Sequence, residues 1–594
     1  MGVNCSCAAE ELELKKSAEA SQERNDTNAE AVKQDGDQAL REIEFVNAQP
    51  ILTEANTKAE GRDAADEQKA EDSSPTTPSG PKWKRKDYFL QSSAEVLSNA
   101  LCSVVENPGH FQDFYTVKEK LGAGQFGTVS AAITTSNGVE RAVKNVSKKE
   151  DKLFLTALKA EIEIMKSLDH PNLITICEIF EDTSTIVFVM KLCKGPHLTQ
   201  YVERVASLSE KQAAFVMRDL LKAVAYMHNS QVCHRDLKGE NCLMLNQGPP
   251  ERNRLKICDF GLSCTFDPSS TLKGKFGSVS HIAPEILKSS DSYTCACDNW
   301  SCGIIFYHLI CGFLPFQEEK DVLHGRLSFS DRHFCDFSED GCRLVSNLVE
   351  RDVLKRATAK AALSHKWFQD HLKDVRGHGG ETPGASPQAS PQSAQSGTSS
   401  ISPYAEKVLR FRGFNKWKQA ALRVIANMLP ESENNTARDY FLALDVECRG
   451  QVPWTVLCEA CGFADIDETP KEDVRFTELL AATFDRKRGL GEKMLKAAYQ
   501  SFDKSGDQQV KLSDLQEGRL LGPLTPKDFK RITRDIGDNH PNDSVDFDSF
   551  MKMMRVDKIR KTLRDRDIEK AVKSTPTNVT DGAESDCSGA ALVD

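Results

Sequence analysis

Positive charge is in deficit in this chain: 77 Lys and Arg stand against 88 Asp and Glu, for a net charge of −11. A dedicated nucleic-acid binder presents a basic footprint, so the balance argues against that class, and no nucleic-acid partner is expected. A second Cys-x-x-Cys pair is also missing. Cys458-Glu459-Ala460-Cys461 stands alone, without the partner that zinc spacing requires. The 19 cysteines are odd in number and scattered, as in a reduced cytosolic protein and unlike a disulfide scaffold. Residues 8–70 hold no apolar run, so no secretory signal is expected. Uninterrupted apolar stretches are lacking elsewhere too. The nearest, from Asp298 to Phe316, is broken by Gly303, Gly312 and Pro315 and reads as a buried helix, since a membrane span needs ~20 apolar residues. Aromatics are sparse between residues 8 and 113; this charged segment, with a Pro/Ser/Thr patch at Ser73–Pro81, cannot bury enough apolar surface to order itself.

What is present is a concentration of charge and amide groups in His234-Arg235-Asp236-Leu237-Lys238-Gly239-Glu240-Asn241, followed by Asp259-Phe260-Gly261. Asp236 is able to accept the proton of a hydroxyl. Asn241 and Asp259 offer the oxygen ligands that a hard cation such as Mg2+ prefers. Lys238, two residues past the aspartate, can neutralise a phosphate in transit. Phosphoryl transfer needs little covalent help, so a site for it consists of positioners and charge carriers of this kind. The two strings resemble the catalytic and metal-binding loops of eukaryotic-type protein kinases.

Upstream lies Leu121-Gly122-Ala123-Gly124-Gln125-Phe126-Gly127-Thr128-Val129. The glycine spacing alone fits a dinucleotide fold or an ordinary turn equally well. A dinucleotide turn opens into a helix, whereas Thr128-Val129-Ser130 continues as a β-branched strand, with a turn near Asn137-Gly138. The next strand carries Ala142-Val143-Lys144, and a helical stretch from Lys159 to Met165 carries Glu161. In isolation Lys144 and Glu161 read as a solvated surface pair. With both loops downstream they read as the lysine that pairs the nucleotide phosphates and its ion-pair partner. The kinase resemblance thus implies that Leu121, Gly122, Gly124, Gly127, Val129, Lys144 and Glu161 bind ATP. It places Mg2+ on Asn241 and Asp259, and the acceptor against Asp236 and Lys238. Ala283-Pro284-Glu285 closes the segment that begins at Asp259, and Arg356-Ala357-Thr358 with His365-Lys366-Trp367-Phe368 resembles the end of a catalytic domain. Lys238 favours serine or threonine over tyrosine, and Ser278, after Gly277, fits the pocket beside the acceptor hydroxyl. Ser269, Ser270 and Thr271 lie where Arg235 is placed to pair a phosphate; the alternative is an unmodified loop.

The chain starts Met1-Gly2-Val3-Asn4-Cys5-Ser6-Cys7, in which Gly2 and Ser6 fit N-myristoylation and Cys5 and Cys7 are placed to take palmitate. One myristoyl chain binds membrane only marginally, so stable anchoring takes a second signal. The cytoplasmic face of a membrane is the expected location. Lys82-Trp83-Lys84-Arg85-Lys86 adds attraction to an anionic surface or is a solvated linker. In residues 377–403, Thr382-Pro383, Ser386-Pro387 and Ser390-Pro391 are proline-directed phosphorylation sites or flexible filler.

Lys407 through Leu429 reads as one amphipathic helix. Within it, the run from Phe414-Asn415-Lys416-Trp417 to Ala426 resembles the autoinhibitory junction of calcium-dependent protein kinases, in which a catalytic domain is fused to a calmodulin-like domain. The resemblance extends from about Tyr115 to Met554 and includes Ala481-Ala482-Thr483-Phe484-Asp485-Arg486-Lys487. It implies four EF-hand-type units, each needing oxygen ligands at loop positions 1, 3 and 5, glycine at 6 and glutamate at 12. The third loop comes nearest, with Asp503, Ser505, Asp507, Gln509 and Asp514 as candidate weak Ca2+ ligands, but Gln508 stands in the glycine slot and Asp514 is one methylene short. The first loop (Asp445 to Val456) has Arg449 at a ligand position, and the second (Asp467 to Glu478) has Lys471 and Glu472 where ligand and glycine belong. The fourth (Asp538 to Ser549) has Asp543 in the glycine slot. Val452, Val474, Val510 and Val545 nonetheless keep the β-branched residue that pairs adjacent loops.

Three positions depart from the kinase pattern: Lys191 in the hinge where an acid is usual, Lys194-Gly195-Pro196-His197 where a segment normally ends in glutamate, and Gly239 in place of proline. The second puts the usual basic-substrate preference in doubt, and the third is expected to loosen the catalytic loop. The expected fold is an α+β bilobal protein kinase followed by an all-α calmodulin-like domain of four EF-hand-type units, with a disordered N-terminal extension. The segments are an acylated extension 1–113, a catalytic domain 114–368 and a Pro/Ser-rich linker 369–403. A junction helix 404–434, a calmodulin-like domain 435–555 with degenerate EF-hands, and a charged tail 556–594 follow. A monomeric serine/threonine kinase of protein substrates is implied, using ATP and Mg2+, with weak or lost Ca2+ control and a junction helix touching the catalytic domain. The rival is a silent scaffold that only presents kinase-like and EF-hand-like surfaces.

Overall fold

The computed structural model describes residues 104–373, 404–461 and 472–555, apart from residues 108, 125–126, 149–151, 289–291, 330–336, 504–506, 512–514, 516–519, 522–523 and 537–543. Gly2, Cys5, Cys7, Ser505, Asp514 and the Ser-Pro pairs of the linker lie outside them. Among the described residues no helix is long and apolar enough to cross a membrane.

The amino-terminal lobe is built on one sheet of β1 (Val105–Asn107), β2 (Tyr115–Gly124), β3 (Gly127–Thr134), β4 (Glu140–Ser147), β5 (Ile176–Glu181) and β6 (Thr185–Lys191), in the order β1-β5-β6-β4-β3-β2. Only β1 runs parallel to its neighbour; the remaining pairs are antiparallel. β2 and β3 thus form a hairpin across the glycine-rich stretch, as the β-branched continuation predicts. Helix α1 (Lys152–Ser167) lays Phe154, Leu158 and Ile162, spaced one turn apart, onto Val146, Ile179 and Phe188 of the sheet.

The larger lobe packs α2 (Leu198–Val205), α3 (Glu210–Asn229) and α4 (Ala296–Cys311) into a second core, with Trp300, Phe306 and Trp367 buried at its centre. A reciprocal cap starts α3: the Ser209 hydroxyl accepts the Gln212 N–H, while the Gln212 side chain accepts the Ser209 N–H. Every residue of α4 after Ala296 is buried, so the apolar stretch beginning at Asp298 is an interior helix. Two short antiparallel pairs carry the loops of the cleft: β7 (Val232–Cys233) with β10 (Cys264–Thr265), and β8 (Cys242–Met244) with β9 (Leu255–Ile257).

The carboxyl-terminal part is helical. The expected single junction helix is two helices, α5 (Tyr404–Gly413) and α6 (Lys416–Met428). Asn415 breaks them: its backbone is extended, and its side chain accepts the Lys418 N–H at 2.8 Å, which caps α6. Around α6 lie α7 (Asn435–Leu444), α8 (Trp454–Ala460), α9 (Phe476–Thr483), α10 (Glu492–Gln500), α11 (Pro526–Ile536) and α12 (Phe547–Arg555). Two-residue strands join adjacent loops: Val452 of β11 (Gln451–Val452) faces Val474 of β12 (Val474–Arg475), and Val510 of β13 (Val510–Lys511) faces Val545 of β14 (Ser544–Val545). These are the four valines expected to pair. Trp417, Ala421, Leu422 and Ile425 of α6 are fully buried in this helical core.

The helical part lies against the sheet edge, the hinge and the larger lobe. Arg141 donates to the Met428 carbonyl at 2.6 Å, and the Cys177 thiol to that of Asn427. Thr477 donates through its N–H and hydroxyl to the Asp169 carboxylate at 3.0 and 2.6 Å. Asn229 donates to the Cys448 carbonyl at 2.8 Å, inside the first calcium-type loop. Lys191, one of the departures noted above, is buried and pairs at 3.4 Å with Glu431, which also receives Lys256 at 3.2 Å and Arg438 at 3.5 Å.

Candidate active site

The cleft between the lobes collects the predicted residues. β4 presents Lys144, whose ammonium lies 3.0 Å from Glu161 of α1 and 3.4 Å from Asp259. Burial alone would lower the Lys144 pKa, but the carboxylates of Glu161 and Asp259 outweigh it and hold it above the ordinary lysine value. The ammonium is therefore a fixed positive charge between two carboxylates. Above it, β2 and β3 bring Gly122 opposite Val129 and Gly124 opposite Gly127. A Cβ at Gly127 would sit 2.0 Å from the Asn145 carbonyl oxygen, so this glycine lets the hairpin lie flat on β4. Leu121 is exposed on the same hairpin.

On the floor, Lys238 Nζ lies 3.0 Å from Asp236 Oδ2, and Asn241 Nδ2 donates to the Asp236 carbonyl at 2.8 Å and to Oδ2 at 3.2 Å. Ser278 completes the group. Its N–H and hydroxyl donate to Asp236 Oδ1 at 3.1 and 2.9 Å, and its hydroxyl oxygen accepts from Lys238 Nζ at 2.9 Å. A serine hydroxyl thus stands between the carboxylate and the ammonium.

A residue that carries this floor escaped the sequence reading. Asp298, at the start of α4, accepts the backbone N–H groups of His234 and Arg235, both at 2.9 Å, and pairs with His228 at 2.9 Å. Burial opposes charge on His228, but the hydrogen bond to Asp298 pushes its pKa up to about 10. Arg235 and Asp259 both take left-handed backbone, at φ 66° and 64°, a conformation that costs about 1–2 kcal/mol and persists where surroundings impose it. The signal was available: Asp298 is a lone carboxylate at the head of an apolar helix. Arg235 donates to the Leu262 carbonyl at 2.6 Å and stacks on Phe276 at 4.2 Å, while Ser269 bonds Asp267. Arg356 clasps Glu285 at 2.6 and 2.8 Å, tying the end of the activation segment to the larger lobe.

Gly239 does not loosen the loop as expected. It is buried in a 3-10 turn (Gly239–Asn241), and a Cβ there would meet Thr199 Oγ1 at 2.3 Å and Thr199 N at 3.1 Å. The glycine admits the start of α2, where His197 caps the helix by accepting the Gln200 N–H at 3.1 Å.

The calcium-type loops fit their ion unequally. In the third, Asp503 accepts the Gln508 N–H at 2.9 Å and Gln508 holds φ 64°, so the turn keeps its form without glycine. The Gln509 side chain accepts from Ser544 at 3.2 Å, and only its backbone carbonyl at loop position 7 matches a Ca2+ ligand. Asp503 and Asp507, with that carbonyl, would hold the ion there. In the first loop Asp445 accepts the N–H groups of Arg449 and Gly450, both at 2.8 Å. In the second, Glu478 is paired with Arg412 at 2.7 Å.

Residues 115–368 match the protein kinase domain. Calcium-dependent protein kinase 3 of Plasmodium berghei is 30% identical over 502 residues, covering 80% of this chain and 85% of that protein. Calcium-dependent protein kinase 11 of Oryza sativa subsp. japonica is 31% identical over 512 residues, covering 81% and 82%. Calcium-dependent protein kinase 17 of Arabidopsis thaliana is 30% identical over 468 residues, covering 74% and 83%. A kinase domain that implies ATP and Mg2+, continued by a helical part along which the likeness persists, leads to one conclusion: this chain belongs to the calcium-dependent protein kinase family.

Proposed function

We propose that the protein transfers a phosphoryl group from ATP to serine or threonine hydroxyls of protein substrates, with calcium control weakened relative to its family. The observation that carries the reading is the Ser278 hydroxyl, which donates to Asp236 at 2.9 Å and accepts from Lys238 at 2.9 Å. The site therefore accommodates an aliphatic hydroxyl with its proton directed at a carboxylate and its oxygen against a cation. An acceptor hydroxyl displacing Ser278 would lose its proton to Asp236, while Lys238 steadies the oxygen. Lys144, fixed by Glu161, would position phosphate oxygens, and Asn241 and Asp259 would hold Mg2+. When bound, Mg2+ neutralises charge on the phosphates; the protein's own work is orientation.

Two sets of departures support weakened calcium control: the residues at loop positions 5, 6 and 12, and the pairing of Glu478 with Arg412. Activation-segment phosphorylation or a protein partner then sets the switch, and acylation at Gly2, Cys5 and Cys7 places the enzyme at the cytoplasmic face of a membrane. Purified full-length protein is assayed for phosphate transfer to a generic protein substrate, in calcium and in excess chelator, beside Asp236→Asn. Activity in both conditions, lost in the variant, is expected. Activity only in calcium would refute the weakened control. Transfer that survives Asp236→Asn would refute the catalytic assignment, and silence throughout would favour the scaffold reading.

A further inference from the structure

The second calcium-type loop runs from Asp467 to Glu478, and residues 472–478 are among those described. In a calcium loop, position 12 supplies both carboxylate oxygens and position 7 a backbone carbonyl. Here those positions are Glu478 and Asp473, and one side chain holds both. Arg412, in the last turn of α5, donates from Nε to Glu478 Oε1 at 2.7 Å and from Nη2 to Oε2 at 3.1 Å. The same Nη2 donates to the Asp473 carbonyl at 3.1 Å, and Nη1 to the Glu472 carbonyl at 2.8 Å. The guanidinium carbon lies 5.5 Å from the Trp454 ring centre. The side chains of Arg412 and Glu478 are nearly buried, at 14% and 11% exposure.

We propose that Arg412 is the resident cation of the second loop: a guanidinium from the junction segment takes the ligands that the fold family gives to calcium. The proposal rests on the reading of weakened calcium control and supplies a cause for it. A planar fork matches a carboxylate bidentately, and its remaining N–H groups satisfy carbonyls that would otherwise face a metal. Because the cation is covalently part of the chain, it cannot be removed by a chelator. Calcium entering this loop must expel a nearly buried guanidinium, and the sequence adds two further cations, Lys471 and Arg475, at positions 5 and 9 of the same loop. The geometry also explains what the loop still does. It joins α5 to the turn before α9 through the chain's own charge.

The test is a double-mutant cycle on the full-length chain. Urea midpoints are measured for the natural protein, Arg412→Met, Glu478→Gln and the double variant, in chelator and in millimolar calcium. Each single substitution is expected to lower the midpoint, with the double variant no worse than the weaker single; that coupling corresponds to about tenfold in the unfolding equilibrium. The response to calcium, contributed by other loops, is expected to be the same with and without Glu478→Gln. Additive losses, or a calcium stabilisation that Glu478→Gln abolishes, would overturn the proposal. Should the variants fail to fold, hydrogen exchange of the peptide covering residues 472–478 is followed in the natural protein. Protection that calcium raises no more than it raises that of the α12 peptide (547–555) supports the proposal, and a calcium-induced gain confined to residues 472–478 overturns it. Neither readout needs phosphoryl transfer, so a protein inactive as a kinase leaves the result interpretable.

Discussion

Replacing Glu431 by Gln leaves the shape of the side chain and removes the one anion shared by Lys191, Lys256 and Arg438. Lys191 and Lys256 are 3% and 1% exposed, so their charges cannot turn to solvent when the carboxylate is lost. Lys256 keeps the Pro171 carbonyl at 3.0 Å, whereas Lys191 loses Glu431, the acidic side chain it pairs with among the described residues. Removing one partner of a buried pair costs ~3–5 kcal/mol, and an amide that retains an acceptor oxygen places the loss near the lower end, about 3 kcal/mol. The pH dependence gives a second handle. Burial would raise the Glu431 pKa, but the three cations outweigh it and hold the carboxyl well below its ordinary 4.5. A depressed carboxyl contributes stability that is fully present above the unfolded value and is lost as pH falls below it, at about 1.4 kcal/mol per pH unit for one proton. The gap between natural protein and Glu431→Gln should therefore narrow from about 3 kcal/mol at neutral pH to about 1 kcal/mol near pH 3. Urea unfolding at several pH values reads both quantities, with Trp300 and Trp367 in the larger lobe and Trp417 and Trp454 in the helical part as reporters. A variant within about 0.5 kcal/mol of the natural protein, with the same acid dependence, would refute the reasoning.

Gln508→Gly relieves a left-handed backbone in the third loop and is expected to stabilise the protein by about 1 kcal/mol, seen as a raised thermal midpoint; a lowered midpoint would mean that its side chain matters more than its φ. Gly239→Ala drives a methyl into Thr199 and is expected to cost about 1–3 kcal/mol and most of the phosphate transfer. Adding Thr199→Ala should restore part of both, because the 2.3 Å clash is with its hydroxyl.

Lys144 with Glu161, and Asp236 with Lys238 and Asn241, were legible in the sequence because each sits in a short string whose chemistry depends on spacing. The four loop valines were legible for the same reason: position 8 fixes the strand pair whatever happens to the metal ligands. The break between α5 and α6 was not, since apolar residues keep helical spacing through Phe411, Phe414 and Trp417, and the cap at Asn415 is a single residue within that period. Gly239 was misread because its constraint lies forty residues away at Thr199, and close approach leaves no mark in local sequence. Lys191 was visible as a departure but not as half of a pair, because Glu431 lies far along the chain. Asp298 was passed over as the first residue of an apolar helix, when its burial required the three donors it receives.

Among the described residues, the helical part has one continuous apolar interior that spans both its halves. Trp417 of α6 meets Phe502 and Phe550 of the carboxyl-terminal half at 6.0 and 5.3 Å between ring centres, while α5 and the other face of α6 pack on α9 in the amino-terminal half. Such an interior is expected to open as a single foldon, with amides of α9 and α12 exchanging with solvent in the same rare event. Perturbing any one loop therefore redistributes protection across the whole unit, so this helical part counts its inputs as a sum and not one by one.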